Sequence, residues 1–430
     1  TSSFYIKFES RDSNLKTVDS ITVEAAGIME LPTPWETANL GLMRFAQSAD
    51  VVFVACSGYQ PQRIERRAAR SWSVVGYKSS SGPFYVTRSV DAKLKVSATS
   101  GNATLTSDKA FFRSTHVGAL FRLFSEGGIN QTHTISNEVA YTDPIRVSGL
   151  SGFVAGASEA NTRERLIHYT ITGTWSGTIS VLKSTRDKEY GYTKSHIRYE
   201  YPVSTNIDAG VAITTNVDYY LNDKNDNEFV WYKLGFESGD YTSGTASIVF
   251  EYAGWDVAGV CRVTGYTSAT QVSVEILQTM GNTSYTSTWQ EGMWSDEDGW
   301  PAAVAFYDGR LWWSGLDRLW GTVSDEFNNF DEDYEGDAGP INRSISTGGV
   351  NDTQWLLGLQ RLAIGTEGMI AVGKSSSLDD PITPTSLAIR DVSSLGVAPN
   401  AAVKIDSRGL FVERSGRAIM ELIYDASQND

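Results

Sequence analysis

Apolar residues along this chain recur in short alternating runs broken by turn residues, a period of two that predicts strands rather than helices. The pattern is clearest from Trp300 to Phe330 (WPAAVAFYDGRLWWSGLDRLWGTVSDEFNNF). Three strands are predicted there, Ala303–Tyr307, Leu311–Gly315 and Leu319–Val323, joined by Asp308-Gly309 and Leu316-Asp317. Asp-Gly between apolar runs signals a hairpin, because both central residues accept positive φ. A three-strand meander cannot bury Trp312, Trp313 and Trp320 by itself, so it must pack on similar units.

The same reading extends along the chain. Phe4, Ile6 and Phe8, then Ile21, Val23 and Ala25, predict two strands. Thr33-Pro34-Trp35-Glu36 predicts a helix start, with Thr33 as N-cap, Pro34 first and Glu36 third, and an end near Gln47. Asp50–Cys56 is a continuous apolar run, so a strand buried on both faces, with Arg63–Arg66 as partner and Trp72–Tyr77 next. More polar strands follow: Leu94–Ala98, Ala103–Thr106, Ala119–Phe124, His168–Thr172, Thr178–Leu182, Phe229–Phe236, Ala246–Phe250, Val260–Thr264 and Val272–Leu277. Hairpins at 361–373 and 403–413, and a strand at 418–424, repeat the spacing of the opening units. The expected fold is all-β: a β-propeller built from N- and C-terminal segments, 1–92 and 291–430, interrupted by an inserted β-sandwich-like module, 93–290.

Composition supports strands: Tyr 20, Phe 17, Trp 12 and Gly 39. A net charge of -15 opposes a basic nucleic-acid-binding exterior. Cys56 and Cys261 are too few for a disulfide framework and are expected to be free and buried. No apolar run reaches the ~18 residues of a membrane span.

Candidate chemistry is sparse. His116, His133, His168 and His196 stand apart from one another and from the cysteines, without metal-ligand spacing. Asp296, Glu297 and Asp298 are adjacent in one loop, whereas glycosidase carboxyls face each other across a bond. Asn222–Glu228 is expected to be a hairpin tip rather than a calcium loop. Arg63, Arg66, Arg67 and Arg70 read either as an edge strand protected by charge or as a phosphate contact, the first preferred. No catalytic residue, metal or cofactor is expected, and no enzymatic role. One acidic run has two readings: Asp325, Glu326, Asp331, Glu332, Asp333, Glu335 and Asp337, with no basic residue among them. It is a solvated loop, or the negative lining of a conduit that repels passing phosphates.

Several stretches resemble the tail nozzle, or tail tubular protein B, family of short-tailed bacteriophages. They are LPTPW with LMRFAQSADVVFVACSGYQPQRIER (31–66), W-x9-GPF (72–84), FFRSTHVGALFRL (111–123), GTWSGTISVLKS (173–184), YTSGTASIVF (241–250), GVCRVTGYTSATQVSVEIL (259–277), the segment 288–330, and LAIGTEGMIAVG through SLGV to LFVERSGRAIMELIYD (362–425). The resemblance implies a virion protein of the tail and a homo-oligomer, a hexameric ring, whose lumen passes DNA at ejection. It implies contacts with a portal-adaptor ring, with tail fibre or spike proteins, and with the host surface. The seven carboxylates would then face the lumen. The alternative is a secreted propeller that binds or cleaves glycans, with Trp294, Trp300, Trp312 and Trp313 turned to solvent. The preferred reading places those rings in the core.

Overall fold

The computed structural model describes residues 30–424, except 87–90, 126–128, 149–164, 187, 195–212, 224–228, 253–256, 335, 346–351 and 376–379. The strands expected at Phe4–Phe8 and Ile21–Ala25, together with His196 and Glu335, lie outside the described residues, as does most of the Asn222–Glu228 tip.

Among the described residues the chain is all-β, in six antiparallel sheets. The first sheet is the meander β1 (Met43–Ser48), β2 (Val51–Cys56), β3 (Tyr59–Ala68) and β4 (Ser71–Gly76). Two six-stranded sheets follow, built from β5 (Leu94–Val96), β6 (Asn102–Ser107), β7 (Leu120–Ser125), β8 (Ile129–Ile135), β9 (Ile145–Ser148), β10 (Arg165–Ser184), β11 (Thr193–Lys194), β12 (Val217–Asp223), β13 (Phe229–Tyr252), β14 (Val257–Ser268), β15 (Gln271–Gln278) and β16 (Trp289–Glu291). One runs β11-β10-β13-β8, with β12 on β10 and β9 on β13; the other runs β16-β7-β14-β15-β6-β5. Meanders then return: β17 (Ala303–Tyr307), β18 (Arg310–Gly315), β19 (Arg318–Gly321) and β20 (Ile341–Ser344); β21 (Thr353–Gly358), β22 (Leu362–Thr366), β23 (Ile370–Lys374) and β24 (Ala388–Ser393); and β25 (Val403–Ile405), β26 (Arg408–Val412) and β27 (Ile419–Leu422).

The four meanders stack face to face, although β4 ends at Gly76 and β17 begins only at Ala303. Phe53, Ala55 and Tyr77 beside the first sheet share a core with Trp294, Leu311, Trp313 and Trp320. The opposite face of the Trp-rich sheet, with Ala303, Trp312 and Leu319, packs on Leu356, Leu362 and Ile364. Trp355, Ala363 and Ile370 then meet Phe411, Met420 and Leu422 of the last sheet. Glycines make room for the indoles: a Cβ on Gly365 would lie 2.2 Å from the Trp355 ring. Arg44 Nε donates to the Gln354 carbonyl at 2.7 Å, tying the first sheet to the third.

The turns of the Trp-rich sheet have the predicted backbone, with φ of 45° and 68° at Asp308 and Gly309, and 52° and 57° at Leu316 and Asp317. Three expectations are corrected. The helix is one 3-10 segment, Thr37–Leu42, with Glu36 as N-cap instead of Thr33. Met43–Ser48 is strand because it pairs along its whole length with Val51–Cys56, and tertiary pairing overrides a weak local helix signal. The arginine-bearing strand is no edge: β3 lies between β2 and β4. Finally, four expected central strands are two long ones, β10 and β13. Gly173 and Gly177, φ 109° and 143°, look like turn residues but sit within β10, and the register shifts at Gly177.

Candidate functional site

The acidic segment leaves the Trp-rich sheet after β19 and is held on both sides by Arg310. This arginine is fully buried. Its guanidinium donates to the carbonyls of Thr322 and Gly339, both at 2.6 Å, and to those of Ala338 and Asp337. Burial pushes its pKa down, and the charges of Asp308, Asp325 and Asp337 oppose that shift.

The middle of the segment meets the two six-stranded sheets. Arg146, buried on β9, reaches Asp331 at 2.5 Å and Asp333 at 2.9 Å. Arg122 on β7 reaches Asp333 at 3.1 Å and Glu332 at 3.5 Å. The Arg146 guanidinium also lies over the Phe229 ring, 4.5 Å from its centroid, and Phe229 meets Tyr334 edge to face at 4.8 Å. Burial raises the pKa of Glu332; Arg122 opposes this, and Asp333 and Asp331 add to it. Burial likewise pushes the Tyr334 phenol up, with Glu326 adding to the shift.

Of the seven carboxylates, Asp331, Glu332 and Asp333 therefore belong to an arginine seam between the two six-stranded sheets and the Trp-rich sheet. Asp325, Glu326 and Asp337 are exposed. Glu326 accepts from Asn329 Nδ2 at 2.6 Å and from the Tyr334 hydroxyl at 3.2 Å.

Beside the seam opens a cleft of about 910 Å³, within the size range of ligand sites. Buried Arg146, Phe229 and Trp231 line it together with Tyr334, Arg186, Tyr190, Asp325 and Glu326. Tyr190 and Arg186 are exposed. Stacking rings beside guanidinium and carboxylate groups suit a polyhydroxylated ligand. The sequence reading missed Arg122, Arg146, Arg186 and Tyr334. Arg122 stands inside a family-like stretch, FFRSTHVGALFRL, Tyr334 inside the acidic run and Arg186 inside the turn-like stretch STRDKEYGY (184–192), but Arg146 carries no local signal.

The remaining candidates are structurally engaged. Glu297 accepts from Thr115 at 2.5 Å and pairs with Arg113, which hold its carboxyl below the usual range, the Thr115 bond foremost. Asp296 accepts from Trp300 Nε1 at 2.7 Å. His116 is buried, and its Nδ1 accepts from the Arg113 backbone N–H at 2.9 Å. That places the proton of the neutral ring on Nε2, which faces Glu291 at 3.1 Å. His133 is depressed by burial. At His168, burial lowers the pKa, but the Glu251 carboxylate at 2.6 Å and Asp218 at 2.5 Å outweigh it, and the net shift is upward. No cluster of His, Cys, Asp and Glu could hold a metal among the described residues. Arg63 and Arg67 both pair with Glu65, and Arg66 with Asp50. Trp294, Trp300, Trp312 and Trp313 are buried, so none offers a sugar-stacking face. Cys56 and Cys261 are free and buried, and burial pushes the Cys261 thiol up to about 12.

No family model matches the chain, and no curated protein does. Among solved structures it aligns with "Phage phi92 endosialidase" at 10% identity and a TM-score of 0.20, over 87% of this chain and 62% of the other. This chain thus spans less than two thirds of that chain's length. The TM-score is too low for a common fold to follow. The printed name is that of a phage enzyme. It runs against the expectation of a chain without enzymatic activity, which is withdrawn.

Proposed function

We propose that this chain is a bacteriophage tail protein whose four stacked meanders are propeller blades, part of a ring around a DNA channel. The observation that supports this most is the core that unites Phe53, Ala55 and Tyr77 with Trp294, Trp313 and Trp320. It brings together the two separated stretches that resemble the tail nozzle family most extensively. The inserted module hangs from the stack by the arginine seam. In this reading Asp325, Glu326 and Asp337 present negative charge to passing phosphates, leaving no counterion-release gain to hold the DNA.

The test is DNA release from purified particles carrying Asp325→Lys, Glu326→Lys and Asp337→Lys together. These three stand outside the arginine seam, so assembly is expected to survive. Slowed release supports lumenal placement; release at the normal rate sinks it. Micrographs of the particle showing a sixfold ring of this chain support the ring, and any other symmetry counts against it.

A second reading rests on the cleft. Its exposed Tyr190 and Arg186 beside Asp325 and Glu326 suit a host-surface saccharide. It replaces the tryptophan-based version of the glycan alternative. Binding on a glycan array that disappears in Tyr190→Ala supports it, and an empty array removes it.

A further inference from the structure

The cations that line the cleft beside the seam fall into two groups. Arg63 is matched by Glu65 at 3.2 Å, and Arg146 by Asp331 at 2.5 Å. Arg186 and Lys188, on the loop from β10 to β11, are not: among the described residues no carboxylate pairs with either. That loop is held in shape by its own chain. Ser184 Oγ donates to the Tyr190 carbonyl at 2.9 Å and accepts from the Arg186 backbone N–H at 3.2 Å. The Tyr192 hydroxyl donates to the Lys188 carbonyl at 3.1 Å, and Lys188 Nζ donates to the Leu277 carbonyl of β15 at 3.0 Å. Lys233 Nζ sits 4.0 Å from the centroid of the Tyr192 ring and 4.1 Å from that of Tyr141. Gly191 takes φ 80°, and a Cβ there would lie 3.4 Å from Arg186 Cδ, so the arginine stem runs across the glycine. Glu189, on the same loop, is not part of the lining; its charge acts on Lys233, where it opposes the downward push of burial on the pKa.

We infer that the cleft takes an acidic saccharide, one bearing a carboxylate or a phosphate, with Arg186 and Lys188 binding the acidic group and Tyr190 lying against the sugar ring. This deepens the saccharide reading of the cleft and rests on it. A guanidinium fork matches two anionic oxygens at once, and such charge-assisted bonds are stronger than those to a hydroxyl. Asp325 and Glu326 set the orientation. A carboxylate accepts from sugar hydroxyls and repels an acidic group, so the ligand turns its hydroxyls to them. Glu326 already accepts from Asn329 Nδ2 and the Tyr334 hydroxyl, which hold it in place as an acceptor. A neutral saccharide leaves Arg186 and Lys188 without a counter-charge and binds less tightly.

The experiment is a glycan array of paired ligands probed with the purified chain: uronate oligosaccharides against their methyl esters, and phosphorylated mannosides against plain ones. Hits are then titrated by calorimetry with the wild type, Arg186→Gln and Arg186→Lys. The acidic member of a pair is expected to bind about tenfold or more tightly than its neutral partner, a preference that shrinks in high salt. Arg186→Gln is expected to take away most of that preference while leaving the affinity for the neutral form unchanged, and Arg186→Lys to restore part of it. The pair that shows the preference tells carboxylate from phosphate. Equal binding within every pair overturns the inference and leaves the saccharide reading standing. An acidic hit that Arg186→Gln binds as tightly as the wild type overturns it too. An array without a hit removes both.

Discussion

In the Trp-rich sheet, Trp313 points into the core shared with the first sheet, and Trp312 into the core shared with the third. In the last sheet, Phe411 and Met420 point into one core, while Val403, Ile405 and Ile419 meet solvent on the other face. Both sheets are antiparallel meanders of short strands with comparable apolar content. The difference is position in the stack, not composition. The same alternation that buries a sheet twice at an inner position leaves an apolar face open at an end.

The comparison breaks most readily in the inner sheet. Trp313→Ala is expected to cost about 3–5 kcal/mol in urea denaturation, because it removes a fully buried ring. A loss below about 1 kcal/mol would show a core that collapses around the gap, and would undo the contrast. Nearly as large, Arg146→Met should destabilise by about 3 kcal/mol, leaving Asp331 and Asp333 without their guanidinium. Asp331→Asn combined with it should recover part of the loss. A smaller effect of opposite sign is expected at the turn. Leu316 holds φ 52° in the Trp-rich hairpin, and Leu316→Asn should raise stability by about 1 kcal/mol. Smallest of all, Ile419→Ser in the last sheet should change monomer stability by no more than ~0.5 kcal/mol. A cost comparable with that of Trp313→Ala would mean that the face is covered within one chain.

Pattern made the meanders legible. Asp308-Gly309 announced its hairpin, and the strands around it lie within a residue or two of where alternation puts them. Two kinds of feature were not legible. Met43–Gln47 carries helical spacing, but a six-residue partner strand at Val51–Cys56 decides its state, and pairing between strands is not a local property. Gly173 and Gly177 read as breaks, although a glycine can equally mark a bulge inside a long strand. The acidic segment illustrates the same limit for the site. Its charge was plain, but the arginines that pair with it stand at positions 122 and 146, far back along the chain. The partners of a charge run are a matter of folding, so sequence alone left the run looking uniformly bare.

Arg310 has one more consequence. The middle of the acidic segment is clamped by carboxylates on Arg122 and Arg146, while peptide carbonyls on either side of it are clamped by Arg310. Carbonyls carry no net charge, so the second clamp does not depend on ion pairing. With both seam arginines replaced, the segment becomes a strap fastened at a single buckle.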